Sequence, residues 1–81
     1  MITPEDSAPL LRLIDQLVAE QESRAYAIGR RLAPNLTLDD LYCPDDVVVL
    51  RSDPEFMYAA GALSGLLAAQ AALRAEVRSG R

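Results

Sequence analysis

The sequence predicts an all-α protein, in which two long helices fold back on each other as an antiparallel hairpin around a structured connector. Three observations predict it. Apolar residues recur at alternating spacings of three and four along two long stretches, which marks one buried helical face on each. Prolines bound those stretches, with Pro34 after the first and Pro54 at the start of the second. A single segment, Val47-Val48-Val49-Leu50, has the β-branched character of a strand, and a lone strand has no sheet to join.

The first helix is predicted over residues 7–33. Thr3-Pro4-Glu5-Asp6 offers an N-cap residue, a first-position proline and two acids. Pro9 lies five positions further on and would remove a backbone hydrogen bond from a helix begun at Pro4. A start near Asp6 or Ser7 keeps Pro9 within the first turn. The seam then reads Leu11, Ile14, Val18, Gln21, Ala25, Ile28 and Leu32, a heptad pattern that Leu10, Leu13 and Leu17 widen near its start. Arg30 and Arg31 fall in the last turn, where the helix dipole favours cations. Pro34 ends the helix, because the residue before a proline is pushed out of the α region.

The connector covers residues 34–53, too long for a simple turn and therefore predicted to carry structure of its own. Thr37-Leu38-Asp39-Asp40-Leu41 reads as one capped helical turn, which Pro44 prevents from continuing. Residues 47–50 are predicted to form an extended or single-turn plug over the end of the two helices.

The second helix is predicted over residues 54–79. Asp53-Pro54-Glu55 supplies an N-cap, a first-position proline and an acid in the first turn, and Gly80 lies beyond the far end. From Phe56 to Leu73 no residue is charged. Phe56, Ala59, Leu63, Leu66, Gln70, Leu73 and Val77 make its seam, and Ala62, Gly65, Ala69 and Ala72 are small at every step on another side. An uncharged run of this length sits at the lower bound for a membrane span. The alanine content, Ser64, Gln70 and only four leucines favour a buried helix of a soluble protein instead.

A helix apolar on all sides needs cover on all sides, and one partner helix supplies only part of it. The expectation is therefore a homodimer in which two hairpins make a four-helix bundle. Gly61, Gly65, Ala69 and Ala72, with Ala62 and Tyr58, are its candidate interface. If Leu32 shares a layer with Ala59, then Gln21 and Gln70 also share one, and their amides would bond each other and fix the register.

The composition bounds the function. The chain has 81 residues, 12 acidic and 8 basic, for a net charge of −4, and forms one domain over residues 1–81. No basic stripe recommends nucleic acid as a partner. One cysteine and no histidine exclude a disulfide framework, a zinc finger and a histidine-dependent triad within the chain. The lone Cys43 and the acidic, unsignal-like start fit a cytoplasmic protein. Every basic residue is arginine, a codon bias expected of a GC-rich, bacterial genome. The connector gathers Asp39, Asp40, Asp45, Asp46, Asp53 and Glu55, but not in the alternating order of a calcium loop. Cys43 has acids for neighbours, which work against a reactive thiolate. No catalytic, cofactor-binding or metal-ligating residue is assigned, and no cofactor. The function expected is protein–protein association in the cytoplasm, as a homodimeric adaptor, regulator or assembly factor. One alternative is a subunit that docks a different protein through its second helix. Another is a small enzyme or divalent-metal binder that uses the acidic connector.

Overall fold

The computed structural model describes residues 4–44 and 47–79. Four helices follow in order: α1 (Pro4–Leu32), α2 (Leu38–Tyr42), α3 (Val48–Arg51) and α4 (Pro54–Ser79). No strand occurs among the described residues. α1 packs along α4 as a hairpin, and the pairing is antiparallel: Arg31 meets Glu55 near the connector, and Asp15 meets Arg74 near the open end.

α1 begins three residues ahead of the start near Ser7 that Pro9 suggested. Pro4 presets φ for the first position, and Glu5 and Asp6 favour the dipole of the first turn. Pro9 forfeits one backbone bond close to the helix end and keeps its ring on an exposed face, so the cost stays local. Thr3, the possible cap, lies outside the described residues, as do Asp45, Asp46 and Gly80. At the other end the Ala33 amide still donates to the Gly29 carbonyl at 2.8 Å, before Pro34 ends the run. The Tyr26 hydroxyl donates to the Leu36 carbonyl at 3.0 Å and ties the reversal back onto α1.

The connector turns its backbone into two short helices. Thr37 and Asp40 form a reciprocal capping box at the start of α2: the Asp40 amide donates to Thr37 Oγ1 and the Thr37 amide to Asp40 Oδ2. α3 is the single turn that Val47 leads into, and it buries Leu50 completely. Asp53 caps α4 by accepting from the Phe56 amide at 2.8 Å.

The core collects at the connector end. Ala25 and Ile28 of α1, Leu36 and Leu41 of the connector, Leu50 of α3, and Phe56, Ala59 and Leu63 of α4 are buried together. Gly29 permits the close approach there. A Cβ on it would lie 2.6 Å from Leu36 Cδ2 and 3.2 Å from the Phe56 ring, both of them buried side chains. Toward the open end the seams continue as Leu11, Ile14 and Val18 facing Leu66, Gln70, Leu73 and Val77, all of them only half-buried.

The register corrects the expected glutamine layer. Gln21 and Gln70 are not partners. Gln21 is buried, donates to the Ala59 carbonyl at 3.1 Å and accepts from Arg24 at 2.9 Å. Gln70 donates to Asp15 at 2.8 Å. Asp15 precedes Gln21 by six positions, about 9 Å along a helix, so the two amides belong to different levels. Ala59 therefore sits opposite Gln21 and not Leu32. The connector sets this level, because α3 and the reversal at Leu36 must both reach the Phe56 end of α4.

The single turn α3 is predicted to matter as much as a long helix. Leu50→Ala should cost about 2–5 kcal/mol, the range for a fully buried leucine. Val48→Ala, at a position 66% exposed, should stay within about 0.5 kcal/mol. Chemical denaturation of both variants checks the contrast, and equal losses would remove the plug role of α3.

Candidate interaction surface

α4 is long and apolar enough, by length and composition, to cross a membrane, yet only 17% of its most apolar 18-residue stretch is buried. Its covered side is the seam against α1. The predicted interface residues stand on the rest of it: Tyr58, Gly61, Gly65, Ala69 and Ala72 are exposed and Ala62 is half-buried. Tyr58 is 81% exposed. A Cβ on Gly61 or Gly65 would meet no other atom within 4 Å, so the fold of one chain does not require glycine at either position. The structure thus brings these residues together on one uncovered side of α4. It separates Gln21 and Gln70, which the sequence had put in one layer.

Sequence reasoning took Leu10, Leu13 and Leu17 as a widening of the α1 seam. The structure leaves all three exposed, Leu13 by 53%. Their spacing of three and four was the available signal. Its meaning depended on which side of α1 the connector would occupy.

One groove of about 250 Å³ opens between the connector and α4, lined by Leu41, Tyr42, Pro44, Ala60, Leu63, Ser64 and Leu67. Its lining brings no acid, base or nucleophile beyond the hydroxyls of Tyr42 and Ser64. Tyr42 donates to the Glu22 carboxylate, and that bond, helped by burial and by the charge, pushes its pKa up to about 12. Among the described residues no three Cys, Asp or Glu side chains gather as a metal-ligating group. Cys43 is exposed at the end of α2.

The open end is pinned by one polar cluster. Asp15 accepts from Gln70 at 2.8 Å and from Arg74 at 2.5 Å. The Arg74 bond, followed by that from Gln70, holds the Asp15 carboxyl below its usual value. The cluster is solvent-exposed, and such pairs stabilise weakly. The chain matches no family model, no curated protein and no solved structure.

Two outcomes follow. A carboxylate with a lowered folded pKa stabilises above its unfolded value near about 4 and loses that contribution as the pH falls through the folded value. Asp15→Asn should therefore lower the melting temperature at neutral pH and leave it unchanged in strong acid. A difference that persists in acid would mean that the charge of Asp15 is irrelevant. Gly61→Ala should raise stability by about 1 kcal/mol, the helix-propensity gain at an open position. A loss in denaturant unfolding would show that Gly61 is closely packed against something in solution.

Proposed function

We propose that this protein works by protein–protein association in the cytoplasm, as a homodimeric helical hairpin of the adaptor, regulator or assembly-factor kind. The observation that carries the reading is the mismatch on α4: a helix uncharged from Phe56 to Leu73 has one neighbour along its length and is mostly uncovered. Isolated apolar residues on a surface need no explanation, but a contiguous apolar face of this length marks an interface. Among the described residues of the groove and the connector, no paired acid and base and no activated nucleophile supports an enzyme reading.

A subunit of a hetero-complex is the second reading, and the groove beside Tyr42 favours it, since it is an apolar cleft that a partner's side chain would fill. The length and composition of α4 also make a lipid bilayer a competitor. Placing α4 in lipid would pull Phe56, Ala59 and Leu63 away from the core they share with Leu50 and Ile28, which weighs against it.

Light scattering on a sizing column decides between these over a hundredfold range of concentration. The expected mass is twice 8.8 kDa, with a dimer that dissociates only on strong dilution. A monomer throughout the range would end the homodimer reading. Recovery of the chain only in detergent would replace it with the bilayer.

A further inference from the structure

The two flanks of the hairpin differ. The connector covers one of them. On α1, Tyr26 and Glu22 reach toward it, binding the Leu36 carbonyl and the Tyr42 hydroxyl. Further along the same side Asp15 bridges to Gln70 and Arg74. On α4, Ala60, Ser64 and Leu67 face the connector across the groove. At about 100° per residue, Leu10, Leu13 and Leu17 leave α1 on the other side of its seam from Glu22 and Tyr26. By the same geometry Ala62 and Ala69 leave α4 on the other side from Ala60 and Leu67. Both sets therefore share the flank that the connector leaves bare. Ala69 is level with the ridge, because Asp15, which lies between Leu13 and Leu17, reaches Gln70 and Arg74, whereas Ala62 lies nearer the connector.

That flank has a ridge and a trough. The ridge is Leu10, Leu13 and Leu17, which are 40%, 53% and 39% exposed. The trough is Ala69, with half-buried Leu66 and Leu73 on either side of it along the helix. Charges bound the ridge, with Asp6 before it and Glu20 after it in the same row, and α4 carries no charge between Glu55 and Arg74. A ridge on one helix beside a trough on its neighbour complements itself under a two-fold rotation.

The missing area is the right size for one more copy. The chain exposes 5482 Å², whereas a folded monomer of its mass should expose roughly 4,800 Å². The excess is roughly 700 Å², close to the roughly 800 Å² that each partner buries in a stable interface. The radius of gyration points the same way: 15.2 Å, against about 12 Å for a compact chain of this length and about 15 Å for one of twice the length.

Building on the association reading above, we propose that a second copy of this chain docks on the bare flank, with the two-fold axis parallel to the helices. The leucine ridge of each copy then packs on the partner's Ala69 and the half-buried Leu66 and Leu73 beside it. Each α1 lies beside both α4 helices, every adjacent pair is antiparallel, and the two α1 helices are diagonal. Gly61 and Ala72 point away from α1 and stay outside this contact.

The test compares two charged patches by sedimentation equilibrium. Leu13→Arg with Leu17→Arg should weaken the dimer at least a hundredfold, while Ala68→Arg, on the edge of α4 that faces away from α1, should leave it unchanged. Unaltered helicity by circular dichroism confirms that the double variant still folds. Disulfide trapping supplies a second readout, on a Cys43→Ser background. A mixture of Leu13→Cys chains and Ala69→Cys chains should cross-link, and neither chain should cross-link alone. A dimer broken by Ala68→Arg and untouched by the double variant would overturn the flank and keep self-association. Self-linking of Leu13→Cys would overturn the axis. A wild-type chain that stays monomeric would remove both this proposal and the homodimer reading beneath it.

Discussion

The cover that α4 demands, and that one helix cannot supply, governs the rest of this structure. A helix packs a neighbour against one stripe of its surface, and α4 is apolar well beyond one stripe. The connector responds by folding instead of looping. Its two short helices bring Leu36, Leu41 and Leu50 over the end where Phe56 and Ala59 are buried. That closure needs the backbones close, which is the role of Gly29 among the described glycines. The glycines further along α4 have no such neighbour. One chain thus completes a core at one end of the hairpin and leaves α4 uncovered along the remainder.

Stability is distributed accordingly. The connector end holds the fully buried residues, a capping box, an N-cap and the Tyr26 tie. The open end holds half-buried seam residues, a buried Ser7 and an exposed polar cluster at Asp15, whose ion pair contributes little in water. Elements with few buried apolar groups open first. In a lone chain, fraying is expected to start at Pro4–Leu17 and at the C-terminal turns of α4. A partner seated on the leucine ridge, as proposed, would cover the same region and make folding of the open end and association one equilibrium.

Both seams were legible in the sequence, residue for residue, because helical periodicity records which face is buried. The caps at Thr37 and Asp53 were legible for a similar reason, since they are local hydrogen-bonding patterns. The level of one helix against the other was not. A heptad pattern says which side faces the neighbour and nothing about sliding along it. The level is set by long-range contacts of the connector, and Gln21 consequently found the Ala59 carbonyl in place of Gln70. The side of α1 that the connector takes is equally invisible in a spacing pattern. For that reason Leu10, Leu13 and Leu17 read as core and emerged as surface. The start of α1 was misplaced by weighing Pro9 as if it stood in mid-helix, when near a terminus it forfeits one bond among several already unmade.

The distribution of charge bears on how two copies meet. Asp39, Asp40, Asp53 and Glu55 lie at the connector end, while the Arg74 and Arg78 positions lie at the open end of α4. A two-fold axis along the helices places like ends side by side, and an axis across them would place unlike ends together. Both ends carry both signs, since Arg31 pairs with Glu55 at one and Asp15 with Arg74 at the other, so Coulomb energy separates the two arrangements only weakly. The connectors, moreover, sit on the flank away from the proposed contact, so their acids in a stacked pair are separated by the thickness of both hairpins. Each hairpin is 17–19 Å across its short axes, well beyond the screening length of about 8 Å in physiological salt. The repulsion is therefore screened, whereas the fit of ridge to trough is a contact interaction that salt does not weaken. In the proposed dimer, shape and not charge would select the parallel axis.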